Sequence, residues 1–366
     1  MSALIRGIIF GLLSLTASGA SWELGPFARP RDAQPIITPD KNATFHDPVS
    51  GEQVHWEALH TFNPGAIVRD GKIYLLYRAE DDSGTMKIGG HTSRLGLATS
   101  DDGIHFQREP EPVFYPTNDA EKSREWPGGC EDPRIVEAED GTYVLAYTQW
   151  NQQRYDAAIA TSPDLHTWTK HGPAFAKAYG GKYKSLQYKS IGILTELREG
   201  RLKAAKVNGK YIMIWGEISV HLATSSNLID WNPVEDSSGN LVTVLERRPG
   251  LFDSGFPEVG PPPILTRHGI LLLYNGKNAA NGGSEEVGPE AYSVGEALFS
   301  AQDPAHVIQR LDHPIFRPEL PWEKSGQYVA GTTFAEGLVY WHDKWFLYYG
   351  CADSFVGVAI SGKLEP

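Results

Sequence analysis

The chain has two cysteines, Cys130 and Cys351, and three methionines in 366 residues. Two thiols cannot make a disulfide scaffold, and no CxxC or Cys/His cluster has the spacing of a structural zinc site. No metal and no cofactor is expected, so stability has to come from packing. Both thiols read as buried, with a bridge between them as the alternative. Positive charge is also short, with 33 Lys and Arg against 45 Asp and Glu and a net charge of −12. That deficit argues against nucleic acid or an anionic membrane surface as the partner. Walker, GxSxG and HExxH motifs are missing, which removes the commonest nucleotide, serine-nucleophile and zinc-protease readings. Long apolar runs are absent after the first twenty residues. At the start, Arg6, an apolar stretch over 7–17 and the small residues Ser18-Gly19-Ala20 read as a secretory signal cleaved near Ala20. The alternative is an uncleaved anchor, for which the run is short of the roughly 20 residues a span requires. The expected plan is a signal over 1–20 and one domain over 21–366, secreted or periplasmic and free of the membrane once the signal is removed.

What the sequence does have is turn formers and aromatics: 38 Gly and 25 Pro beside 14 Phe, 10 Trp and 16 Tyr. This pairing favours short strands joined by tight turns. A turn followed by an aromatic-rich apolar strand recurs at Asp70-Gly71, Asp140-Gly141, Asn208-Gly209, His268-Gly269 and His342-Asp343. Steps of 70, 68, 60 and 74 residues separate positions 71, 141, 209, 269 and 343. A second echo, of small residues and then Ser with Asp or Asn, follows at 95–106, 157–168 and 220–231. An opening strand precedes each Gly turn. Repeats of this length with four strands each predict an all-β chain folded as a five-bladed β-propeller. A large β-sandwich is the rival, but it supplies no reason for a step of this size.

Propeller strands converge on a central funnel, so polar residues that break the apolar pattern at one place in each repeat are candidates for a shared site. Opening strands contribute Asn63, Asp132, Ser190 beside Lys189, Glu258, and Thr333 with Glu336. The ends of second strands contribute Arg78, Gln149, Glu217, Asn275 with Lys277, and Asp353. Asp132 stands out, set between a Gly-rich turn and Pro133 in Gly128-Gly129-Cys130-Glu131-Asp132-Pro133-Arg134; an ion pair to Arg134 is its structural alternative. Three carboxylates from three repeats, Asp132, Glu217 and Glu258, suit acid/base cleavage of a glycosidic bond. Trp150, Tyr188, Trp215 and Tyr292 suit stacking on sugar rings.

The sequence resembles glycoside hydrolase family 130, the mannoside phosphorylases and β-1,2-mannosidases, from about Phe62 to Ile360. The resemblance is carried by Phe62-Asn63-Pro64-Gly65, Tyr77-Arg78-Ala79, Ser93-Arg94-Leu95-Gly96, Cys130-Glu131-Asp132-Pro133-Arg134, Tyr274-Asn275-Gly276-Lys277 and Tyr349-Gly350-Cys351-Ala352-Asp353. It implies that Asp132 is the proton donor, acting in the phosphorylases through a sugar hydroxyl, and that Asn63, Arg78, Arg94 and Asp353 hold the sugar at subsite −1. It also implies a cationic phosphate site in the phosphorylases, with His in a Tyr-His-Gly element and Arg after the third repeat's strand. Here those places read Tyr274-Asn275-Gly276 and Trp215-Gly216-Glu217. Acids in place of cations shift the expectation toward hydrolysis, although Lys189, Lys206 and Lys277 could rebuild an anion site. The expected activity is inverting hydrolysis of β-1,2-mannosides, with Asp132 as acid and Glu217 or Glu258 as base. Lys189, Asn275, Lys277 and Tyr292 are expected among the substrate-binding residues. A phosphorylase, a non-catalytic sugar-binding propeller and a furanosidase-like enzyme are the alternatives.

Overall fold

A computed structural model describes residues 22–362, so the expected signal over 1–20 lies outside the described residues. The described chain is all-β, and its helices are single turns. None is long and apolar enough to cross a membrane.

The strands form five antiparallel units in chain order. The first comprises His60–Arg69, Lys72–Glu80, Ser93–Ser100 and Gln107–Arg108. The second comprises Gly129–Glu137, Tyr143–Trp150, Tyr155–Ser162 and Thr169–Pro173. Ile191–Ile193, Lys210–Trp215, Val220–Ser225 and Trp231–Pro233 make the third. Phe256–Val259, Gly269–Lys277, Tyr292–Phe299 and Val307–Arg310 make the fourth. The fifth has three strands, Thr333–Trp341, Lys344–Cys351 and Phe355–Ser361, and its outer edge is met by the N-terminal segment through bridges Ala28 to Ile360 and Ile37 to Val356. Among the elements outside these units, a hairpin of Thr195–Arg198 and Arg201–Ala204 carries no repeat signal; it interrupts the third unit and pairs in parallel with Gly129–Glu137 of the second and with Ile264–Thr266, which is bonded to Gly269–Lys277 of the fourth.

Local chemistry accounts for these units. At Asp70-Gly71 and Asn208-Gly209 both turn residues have positive φ, 50° and 75° then 51° and 77°, the geometry that matches the twist of a two-residue hairpin. The second echo is a side-chain turn: Ser100, Ser162 and Ser225 each accept the backbone N–H three residues on, at 2.8, 2.8 and 3.0 Å. Ser300 does the same in the fourth unit at 3.2 Å, where no echo was visible.

Each apolar cluster is shared by consecutive units. Leu76 and Leu97 meet Ile135 and Leu145. Val144 and Ile159 meet Ile193 and Met213. Ile212 and Leu222 meet Leu272 and Ala297. Leu271 and Leu273 meet Leu338 and Leu347. Val339 and Phe346 of the fifth unit meet Val68 and Leu75 of the first. Opening strands touch at glycine: a Cβ on Gly65 would lie 2.5 Å from the Pro133 carbonyl, and one on Gly337 would lie 2.7 Å from that of Pro64. Only glycine permits that approach.

Candidate active site

Broken ladders turn the polar residues toward one cavity. Pairing skips a step between Phe62 and Pro64 in the first unit, between Glu131 and Arg134 in the second, and between Ala335 and Gly337 in the fifth. Asn63 and Asp132 occupy the skipped positions with φ of 47° and 50°, and Ser190, just before its strand, has 57°. Asn and Asp tolerate this left-handed region better than most residues, and the extra residue of a bulge re-aims its side chain.

The cavity, about 370 Å³, is lined by Asn63, Arg78, Glu131, Asp132, Lys189, Glu217, Glu258, Tyr292 and Asp353 among others. On one wall Asn63 Nδ2 donates to Asp132 Oδ1 at 2.9 Å, and Arg78 Nη1 lies 3.2 Å from the same oxygen. Arg78 Nη2 reaches Glu80 at 2.6 Å and Glu131 at 2.8 Å. Burial alone would raise the Asp132 carboxyl, but Arg78, Lys189 and the Asn63 amide outweigh it and hold Asp132 below the usual carboxylate range. Burial pushes neighbouring Glu131 up despite Arg78, with the Asp132 charge adding to the rise. Asp353 is pushed up to about 7, by burial first, with Arg78 opposing and the charges of Asp132 and Glu80 reinforcing.

On the other wall Lys189 Nζ lies 3.4 Å from both Glu217 Oε2 and Glu258 Oε1. Those two glutamates are backbone partners in an isolated bridge. Ser190 Oγ donates to Glu258 Oε1 at 2.5 Å. Burial opposes the Lys189 charge, yet Glu258 and Glu217 hold its ammonium well above the ordinary range. Burial raises Glu217, with Lys189 opposing. The lining also includes Ile88, Gly89, Trp150, Tyr155, Tyr328 and Phe334. Trp150 Nε1 donates to Gly89 O at 2.9 Å, pinning the first unit's loop beside the cavity.

A family described as beta-1,4-mannooligosaccharide phosphorylase matches residues 29–364. The chain belongs to glycoside hydrolase family 130. It is 33% identical to a 1,2-beta-oligomannan phosphorylase of Thermoanaerobacter sp. (strain X514), over 83% of this chain and 90% of that protein. It is 55% identical, with TM-score 0.92 over 94% of this chain and 96% of the other, to a solved structure described as "The GH130 family of mannoside phosphorylases contains glycoside hydrolases that target beta-1,2 mannosidic linkages in Candida mannan". A glycosyl hydrolase from Bacteroides ovatus is 53% identical with TM-score 0.92, over 94% and 96% of the two chains.

In this family 130 chain three expected sugar contacts lie away from the cavity lining. Arg94 is buried and its guanidinium is held by Asp47 at 2.6 Å and Asp81 at 2.7 Å, so it braces the wall from behind. Asn275 exchanges two hydrogen bonds with the Ala335 backbone, at 3.0 and 2.8 Å, tying the fourth unit to the fifth. Lys277 sits over the rings of Phe256, Tyr292 and Tyr328 and faces Glu290 at 3.9 Å, just behind the lining. Gln149 binds Glu121 and Glu125 instead of facing the cavity. Tyr188 and Trp215 pack on Phe175 as core, whereas Trp150 and Tyr292 line the site. The alternative pairing of Asp132 with Arg134 is also corrected: Arg134 reaches the Asp132 carbonyl, and its carboxylate partner is Glu336 at 2.7 Å. Cys130 and Cys351 are both free and buried. Gln327, Tyr328 and Phe334 escaped the sequence reading. Gln327 and Tyr328 precede the fifth unit where no repeat marks them, and Phe334 follows Thr333 in an opening strand that reads as apolar core.

Proposed function

We propose that this chain is an exported, inverting glycoside hydrolase for β-1,2-linked mannosides, folded as one domain, a five-bladed β-propeller over 21–366. The five shared apolar clusters, including the one joining the fifth unit to the first, support the closed ring. The signal-like start supports export. Hydrolysis rests on one observation: both cations lining the cavity are already neutralised, Arg78 by Glu80, Glu131 and Asp132, and Lys189 by Glu217 and Glu258. Of the other lysines weighed as phosphate ligands, Lys277 faces Glu290 and Lys206 is exposed over Tyr211. A phosphate dianion would meet uncompensated carboxylates, whereas water and a neutral sugar would not.

In this reading Glu258, fixed by Ser190 and Lys189, takes a proton from water as the water oxygen bonds to the anomeric carbon. Glu217 orients that water. The glycosidic C–O bond breaks on the opposite face, and the leaving oxygen receives a proton from Asp132, directly or through a sugar hydroxyl. Asp132 is held as an anion in the free site, so it must take a proton from solvent as the sugar binds; the bound sugar displaces the remaining water from around the carboxylate, which favours that uptake, and the proton then passes to the leaving oxygen.

The test is incubation with β-1,2-mannobiose in phosphate-free buffer. The expected result is free mannose, first seen as the α-anomer by NMR, at a rate that added phosphate does not change. Strict phosphate dependence with mannose 1-phosphate as product establishes the phosphorylase reading that the curated relatives' names favour. Binding without turnover, in wild type and Asp132→Asn alike, leaves a sugar-binding module.

A further inference from the structure

Arg134 touches no cavity surface, yet it joins the parts of the chain that carry the proposed acid and base. Its side chain is 2% exposed. Nε donates to Gly260 O at 2.7 Å and Nη2 to Val259 O at 2.8 Å, the two carbonyls that follow Glu258. Nη1 reaches Asp132 O at 3.4 Å and Glu336 Oε1 at 2.7 Å. One guanidinium therefore binds the bulge of the second unit, the strand end of the fourth and the bulged Glu336 of the fifth. The Asp132-Pro133 step has no ladder partner, so its backbone lacks the usual sheet restraint and Arg134 supplies a tie. At the other end the N–H groups of Val259 and Gly260 already bond Gly216 O and Leu273 O, and Arg134 binds their carbonyls just before the chain leaves the sheet at Pro261-Pro262-Pro263.

We infer that Arg134 is a positioning residue that sets the separation of the Asp132 and Glu258 carboxyls, acting through their backbones without touching substrate. The planar fork suits the task, because three of its nitrogens point in fixed directions at oxygens from three units; a lysine ammonium cannot span them. Glu336 Oε1, 2.7 Å from Nη1, gives the buried guanidinium a carboxyl partner. The inference rests on the acid and base assignment proposed above.

The experiment compares wild type, Arg134→Lys, and the charge-balanced pair Arg134→Met/Glu336→Gln, which leaves no lone buried charge if the single change fails to fold. Each is assayed on β-1,2-mannobiose and on 2,4-dinitrophenyl β-mannoside, whose leaving group needs no proton. A misplacement of about 1 Å costs on the order of 10²-fold in rate. The expected result is a fall of about that size in kcat on mannobiose, with KM within threefold. On the dinitrophenyl substrate the fall is several-fold smaller, because only the base position then matters, and melting stays cooperative. Equal losses on both substrates, a rise in KM with kcat retained, or wild-type rates in the double variant would each overturn the inference. If wild type turns over mannobiose only with phosphate, the hydrolase reading has failed; the same two-substrate comparison, run in phosphate, still reads the placement of Asp132.

Discussion

At the scale of single residues the site is a balance of carboxylates around two cations, and each carboxylate gets its character from its neighbours. Glu258 has two donors fixing one oxygen, Ser190 Oγ and Lys189 Nζ. Glu217 is held by Lys189 and the Tyr155 hydroxyl, is more exposed than Glu258, and is raised by burial. A base has to be fixed against the water it activates, so Glu258→Gln should lower kcat about 10³-fold, within the range removed with a general base, and Glu217→Gln should cost clearly less. Steady-state kinetics on mannobiose decide it; the reverse order would exchange their roles. Asp353 offers a prediction on stability. Its carboxyl releases a proton near pH 3.8 when exposed and near 7 in the fold, so between those values the folded state binds more protons. Stability contributed by this group is therefore full below about 3.8 and is lost as pH rises through about 7. A neutral amide in its place would carry no such loss. Denaturant midpoints should show Asp353→Asn gaining on wild type from pH 4 to pH 8, by on the order of 1–2 kcal/mol after allowance for partial solvent screening. A constant difference across that range would show that Asp353 titrates normally. Asp132 was legible in the sequence because Gly128-Gly129 and Pro133 mark a backbone that departs from a strand. Arg94 lies outside the cavity lining, and its motif could not show this, because a residue bracing a wall is needed as much as one touching sugar.

At the scale of elements, the opening strands do two jobs that conflict. They must run close enough to pack against each other, and they must break their ladders to present side chains. Asn63-Pro64 and Asp132-Pro133 announce the breaks, since proline lacks the N–H a ladder requires. Glu336, at the equivalent break in the fifth unit, has no proline after it and could be placed only by position in the repeat. The hairpin at Thr195–Arg198 and Arg201–Ala204 was illegible for the same reason, because it belongs to no repeat and its function is to fill the space between the second and fourth units. Gly65 joins packing to chemistry. A methyl there would stand 2.5 Å from the carbonyl of Pro133, the residue after Asp132, and neither side is a flexible side chain. Gly65→Ala should cost about 1–3 kcal/mol, the range for overpacking, and should lower kcat by moving the Asp132 bulge. Urea denaturation and mannobiose kinetics on one preparation check both. Loss of stability with kcat intact would separate the close approach from the placement of the acid.

At the scale of the whole molecule the repeat was the most legible feature, because tight turns and side-chain turns recur locally at every unit. What flanks the fifth unit was not legible. The fifth unit has three strands of its own, and residues before the first unit carry no echo, yet they bind it from outside. Ala28 and Ile37 bridge to Ile360 and Val356, and Leu24 and Gly25 donate to Glu296 Oε1 at 2.9 and 3.0 Å. Arg29 forms a two-pronged pair with Glu323, at 2.7 and 2.8 Å. The first and fifth units meet with no covalent connection between them, so a segment that binds the outer edge of the fifth unit should contribute far more than its length suggests. A protein beginning at residue 22 should match the longer chain in thermal unfolding. One beginning at residue 39 loses the bridges, the Arg29 pair with buried Glu323 and two donors to Glu296. Breaking a buried ion pair alone costs about 3–5 kcal/mol, so calorimetry should show the melting temperature falling by at least about 5 °C. The loss of activity should follow the same temperature shift, since the segment lies outside the cavity lining. An unchanged melting temperature would mean that the first and fifth units hold each other through Val68, Leu75, Val339 and Phe346 without help.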